Sequence, residues 1–328
     1  MTTADNQNVF LPGSGFWALT TAINMIIVCL TLLGNGTVIV VMIARRQKFS
    51  SSTNRLILHQ SIIDAISGLI FFFLRIVKSS NLHVSERSNF LDQLVCRCFD
   101  KDTLLWWAYG ASTYNFVFIS LERFLATCYP VKHRNMVKKQ KLRIAIGIAW
   151  AIGFFFALPM VFKSKPIGGR CQHVNFIGAM QTLLDLLSIM INYLIPLGVP
   201  FFAYVKIFVK LKKGRDHSRT NCGPDRRSRA KKNVLITMLV TSILFVICWT
   251  PRSCGVIIRI LTRGSGTAFS KTVYRVMTML VASNMFVNPI VYCLMYKHFR
   301  DQLKDLLLKR LRRNQVHSEQ DAMTAASQ

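Results

Sequence analysis

Asp64 stands near the middle of a long apolar run, with Leu and Ile around it. A carboxylate in hydrocarbon costs roughly 2.5–3.5 kcal/mol on insertion scales, so it must face other protein and find partners there. Asn35, Ser112, Asn284 and Asn288 sit at similar places in three other apolar runs. Oxygen-bearing side chains gathered in this way fit either a cation held by oxygen ligands or a hydrogen-bond network that joins helices. A second charged group, Glu122-Arg123, closes another apolar run. Neighbouring opposite charges each lower the cost of the other. A third group is basic: Arg75, Lys101, Arg252, Arg259 and Arg275. Arg suits bidentate recognition of carboxylate or phosphate. Catalysis finds no support, because no nucleophile–base pair or Cys/His metal spacing appears and the seven His are scattered.

The elements that position these residues are seven apolar blocks at about 16–44, 56–77, 104–128, 142–162, 183–211, 234–261 and 273–295. About 20 apolar residues at 1.5 Å rise span the hydrocarbon layer. In lipid the backbone must bond within its own segment or in a closed barrel, and the blocks lack the alternating pattern of barrel strands. The fold class is therefore an all-α membrane protein, a bundle of seven transmembrane helices. A short amphipathic stretch, 299–308, follows span seven. The divisions expected are an extracellular amino terminus (1–15), the transmembrane domain (16–296), a membrane-surface helix (297–310) and a disordered cytoplasmic tail (311–328).

The net charge of +28 invites a nucleic-acid reading, but its distribution argues against one. Lys and Arg gather after spans one, three, five and seven, in alternate loops that share one side. The positive-inside rule makes that side cytoplasmic and places the amino terminus outside, in the plasma membrane for a chain of this kind. Of the nine cysteines, Cys96, Cys98 and Cys171 fall on the outside. One bridge from the start of span three to the loop after span four is expected there, with one thiol left over. Pro196, Pro251 and Pro289 lie within spans five, six and seven, where each removes a helix hydrogen bond and marks a bend or hinge.

Taken in order, these residues resemble the rhodopsin-like G-protein-coupled receptors over about residues 20–305. The resemblance rests on Gly34-Asn35, Asp64, Cys98, Glu122-Arg123-Phe124, Trp150, Pro196 with Tyr204, Phe245 followed by Cys248-Trp249-Thr250-Pro251, and Asn288-Pro289-Ile290-Val291-Tyr292. It implies a Cys98–Cys171 disulfide, with Cys98 lying 25 residues before Arg123. It implies a sodium and water cluster at Asp64, Ser112, Asn284 and Asn288, and a packing switch at Trp249 and Phe245 below the ligand. Arg123, Tyr204 and Tyr292 would rearrange to admit a Gα helix into a cytoplasmic groove. The span-six region Arg229-Ala230-Lys231-Lys232 carries no acid that could latch Arg123. Basal signalling is expected; agonist-free output no higher than in mock-transfected cells would count against it.

By the same resemblance, amine receptors carry an Asp where this chain has Leu105, and opsins a Lys where it has Ala282. Neither an amine nor retinal is expected. The basic outer residues, with Leu105 at the amine position, point to a peptide or a ligand with an acidic group. The partners expected are that extracellular ligand, a heterotrimeric G protein, the bilayer and arrestin, and no nucleic acid. Readings held beside this one are a non-coupling scavenger or arrestin-biased receptor and, more remotely, a transporter or channel.

Overall fold

The structure is a computed structural model that describes residues 14–77, 89–100, 102–173, 178–217, 226–262 and 270–326. Lys101 lies outside them, as do residues 1–13. Spans one, two, three and four are α1 (Ser14–Ala44), α2 (Ser52–Phe72), α4 (Thr103–Cys128) and α6 (Lys139–Phe162). Span five is α7 (Ala179–Ile189) and α8 (Ile195–His217), joined through a wide π turn, Met190–Leu194. Spans six and seven are α9 (Arg226–Leu261) and α10 (Lys271–Met295). Two short helices, α3 (Phe90–Val95) and α5 (Pro130–Met136), cap loops, and α11 (Lys297–Ala326) follows the last span. The two strands, β1 (Ser164–Ile167) and β2 (Arg170–His173), form an antiparallel hairpin after α6.

Local chemistry sets several boundaries. The Ser51 hydroxyl accepts from the Asn54 amide at 3.3 Å and starts α2; Ser270 accepts from Val273 and starts α10. Pro196 has no N–H to offer the carbonyl four residues back, and the chain just before it widens, with the Ile195 amide bonding to the Met190 carbonyl. Pro251 and Pro289 lie inside α9 and α10.

Six of the seven spans are long and apolar enough to cross a membrane by composition alone. The exception is α4, which carries Ser112, Thr113, Asn115, Ser120, Glu122 and Arg123. It can be more polar because its solvent is protein: 17 of its 26 residues are buried. By contrast α6 buries only Leu142, Ala149, Gly153 and Ala157, and turns Phe154 and Phe155 outward. The two helices meet glycine to glycine. A Cβ on Gly110 would lie 2.7 Å from the Gly153 Cα, and one on Gly153 would lie 2.6 Å from the Trp107 carbonyl oxygen. Such small-residue contacts let membrane helices approach closely, where lipid offers no hydrophobic drive.

The structure corrects one expectation. Cys96, fully buried, pairs with Cys171, and Cys98 is free. The segment before span three is a π turn, Cys96–Asp100, followed by Asp102 at φ 58, so it is not a continuous α-helical lead-in to Arg123. The Cys98–Cys171 pairing that the family resemblance implied is therefore not the one formed. Two residues are about half a turn, so Cys96 and Cys98 face opposite ways. At the carboxyl end, the division expected at 311 falls within a helix of the structure. Helix α11 runs to Ala326, and no Gly or Pro interrupts it. Its base is fixed by fully buried Phe299 and by an Arg45–Asp305 ion pair at 2.7 Å.

Candidate functional site

The functional residues fall in three layers along the bundle axis. Toward the hairpin end, α4 and α9 turn aromatic rings on one another. Trp106 and Tyr109 each lie edge-on to Trp249 at 6.5 Å. Trp249 stacks on Phe245 at 5.6 Å, and Phe245 on Phe116 at 6.1 Å. Trp249 and Phe245 are thus in contact, below the basic rim. The Trp249 indole N–H and the Tyr109 hydroxyl are buried and have no hydrogen-bond partner among the described residues.

The basic rim residues are not alike. Arg75 makes a bidentate pair with Asp102. Arg259 makes one with Asp185, at 2.7 and 3.0 Å. Arg275 lies 3.9 Å over the Trp17 ring. Arg252 sits between two rings, 4.3 Å from Trp106 and 5.2 Å from Tyr274. Lys163, just beyond α6, is also nearby: burial pushes its ammonium down, Asp185 opposes the fall, and Arg259 and Arg252 add to it. Arg259 and Lys163 therefore both lie close to the carboxylate of Asp185. Leu105 is buried in the core behind Trp106, not open on a pocket wall.

At mid-depth, Asp64 is almost fully buried. Its Oδ1 accepts from the Ser112 hydroxyl at 2.7 Å and its Oδ2 from the Asn288 amide at 2.9 Å. The Gln60 amino group donates to both oxygens, at 3.3 and 3.2 Å. Asn284 lines a small adjoining cavity with Ser112 and Asn288. Asn35 stands apart from Asp64: it donates to the Thr31 and Met285 carbonyls, each at 2.9 Å, and stitches α1 to α10. The sequence reading missed Gln60, although a polar residue one turn before Asp64 in an apolar run was a visible signal.

Toward the α11 end, Glu122 accepts from the Thr53 hydroxyl and lies 2.8 Å from His133 Nε2 on α5. The Arg123 Nε is 3.8 Å from Glu122, a loose pairing. Arg123 and Tyr292 line a cavity together with Thr53, Thr237 and Thr241, and Tyr204 shares a 3.0 Å hydrogen bond with Ser120. The side chains of 229–232 lie outside the described residues. His133 and Thr53 carried no sequence signal, since a loop His and a helix-start Thr meet Glu122 only once the bundle closes.

Residues 34–292 match the family described as 7 transmembrane receptor (rhodopsin family). The chain belongs to that family. Among its relatives are galanin receptor 2a of Danio rerio, 26% identical over 95% of this chain and 86% of that one. Trace amine-associated receptor 1 of Mus musculus is 24% identical over 87% of each. Allatostatin-A receptor of Bombyx mori is 24% identical over 82% of this chain and 74% of that one. The protein is a multi-pass membrane receptor of the ligand-binding, G-protein-coupled kind and not an enzyme. In the receptor, the aromatic and basic layer, the Asp64 layer and the Arg123 layer lie one below another along α4, each drawing on that helix.

Proposed function

We propose that the receptor sits in the plasma membrane with its amino terminus outside, binds a peptide with an acidic group at the hairpin end, and signals to a heterotrimeric G protein through the Arg123 cavity. The observation that carries the ligand reading is Arg252. Its described contacts are aromatic, whereas Arg75 and Arg259 are already matched by carboxylates. Ring faces hold a guanidinium in place without neutralising it, so its N–H edges remain available to an anion. The unpartnered Trp249 N–H and Tyr109 O–H add two donors nearby. Galanin and allatostatin-A receptors among the relatives support a peptide. Leu105, where an amine receptor would carry an acid, speaks against the trace-amine likeness.

At the other end, Arg123 and Tyr292 line the cavity that the tip of a Gα helix would enter, and agonist would shift the receptor toward the open form by binding it better. The basic loops toward this side support its cytoplasmic placement. Arrestin is a second expected partner of the same face. The test is an agonist screen of peptide and organic-acid libraries in cells that express promiscuous Gα, followed by Arg252→Ala. Agonists with a free carboxylate should lose potency in the variant; full potency at normal surface level overturns the assignment.

A further inference from the structure

The family resemblance implies a sodium ion beside Asp64, and the residues present do not fit one. A cation needs free oxygen lone pairs. Here Oδ1 already receives the Ser112 hydroxyl, Oδ2 receives the Asn288 amide, and the Gln60 amino nitrogen lies nearly equidistant from both oxygens at 3.3 and 3.2 Å. That nitrogen stands in the fork of the carboxylate, where a bound cation would stand, and it also donates to the Ser112 oxygen.

The orientation of the Gln60 amide is fixed from outside the site. The Trp150 indole can only donate, and it donates to His59 Nε2 at 3.1 Å. His59 Nε2 therefore accepts, which puts the ring proton on Nδ1, 2.9 Å from the Asn115 carbonyl oxygen. Asn115 must then turn its amino group toward Gln60 Oε1, at 2.7 Å, and it donates to the Leu56 backbone carbonyl as well. With Oε1 accepting, Gln60 has only its N–H₂ to present to Asp64. Each member fixes the next, from an indole on α6 through α2 and α4 to the carboxylate.

We propose that this relay replaces the sodium ion: the Gln60 amino group, aimed by Trp150, His59 and Asn115, closes the Asp64 site with protein alone and makes the receptor indifferent to sodium. The two carboxylate oxygens accept from three neutral side chains, Ser112 at Oδ1, Asn288 at Oδ2 and Gln60 shared between both, while the second Gln60 N–H goes to Ser112. A cation would have to expel Gln60, which breaks its bonds to Asp64 and Ser112 and turns its amino group away from the acceptors the relay aims it at.

The experiment needs no agonist, so its outcome is independent of the ligand proposed above. Thermal unfolding of the purified full-length receptor is measured in sodium chloride and in choline chloride at equal ionic strength. The wild type should melt at the same temperature in both, within about 1 °C. Gln60→Leu should acquire sodium-dependent stabilisation, on the order of 2–4 °C where sodium shifts the folded ratio about tenfold. Asp64→Asn in the Gln60→Leu background should remove it. Gln60→Met serves as a second variant, apolar and of similar length. A wild-type melting temperature that rises with sodium and stops rising in Asp64→Asn overturns the proposal. So do folded Gln60→Leu and Gln60→Met receptors that gain no sodium dependence.

Discussion

The mid-membrane layer around Asp64 and the rim around Arg252 are both polar, yet they are built on opposite plans. At mid-depth one carboxylate is surrounded by neutral donors from α2, α4 and α10, and each of its oxygens lies within hydrogen-bond distance of two of them. At the rim, cations outnumber carboxylates, and Arg252 rests against rings. The difference follows depth. An unmatched charge in the bilayer centre costs several kcal/mol, whereas near the surface water and incoming ligands can serve it. A saturated network suits a structural pivot, and an unsaturated one suits a binding site.

The largest expected effect breaks the rim's covalent support. Cys96→Ser removes the Cys96–Cys171 bridge, and a lost disulfide typically costs about 2–5 kcal/mol. Surface expression should fall sharply, while Cys98→Ser should express like wild type; the reverse result would restore the pairing that the family resemblance implied. Next comes Arg252→Ala. A charge-assisted hydrogen bond is worth about 1.5–3 kcal/mol, so agonists that carry a carboxylate should lose roughly 10–100-fold in potency. Thermal stability should hardly move, because no described carboxylate depends on Arg252.

Trp150→Phe sharpens the comparison from the other side. It removes the donor that sets the His59 tautomer and should cost about 1 kcal/mol, read as a drop in melting temperature of the purified receptor. Agonist potency should change less than in Arg252→Ala; an equal loss of potency would mean the two layers are not separate. The smallest effect is expected at Arg259. It is half-exposed, so its pair with Asp185 should contribute below about 1 kcal/mol after solvent screening. A double-mutant cycle over Arg259→Ala and Asp185→Ala measures that term directly, and a value well above it would make the rim a structural lock as well as a site.

Much of this was legible in the amino acids alone. Hydropathy blocks, loop charges and ordered motifs determined the seven spans and the family, because membrane insertion and helix formation are local physical events that depend on composition within about 20 residues. Asp64 announced itself by its cost in lipid. Tertiary structure decided what local spacing could not. Which cysteine meets Cys171 depends on the π turn and the left-handed Asp102 ahead of α4. Which basic residues are already paired depends on where Asp102 and Asp185 fall across helix boundaries. Whether Asp64 holds an ion or an amide depends on a chain of donors from three helices, each oriented by the one before. Hydrogen bonds are directional and short, so partners distant in sequence are set only when the helices close on one another.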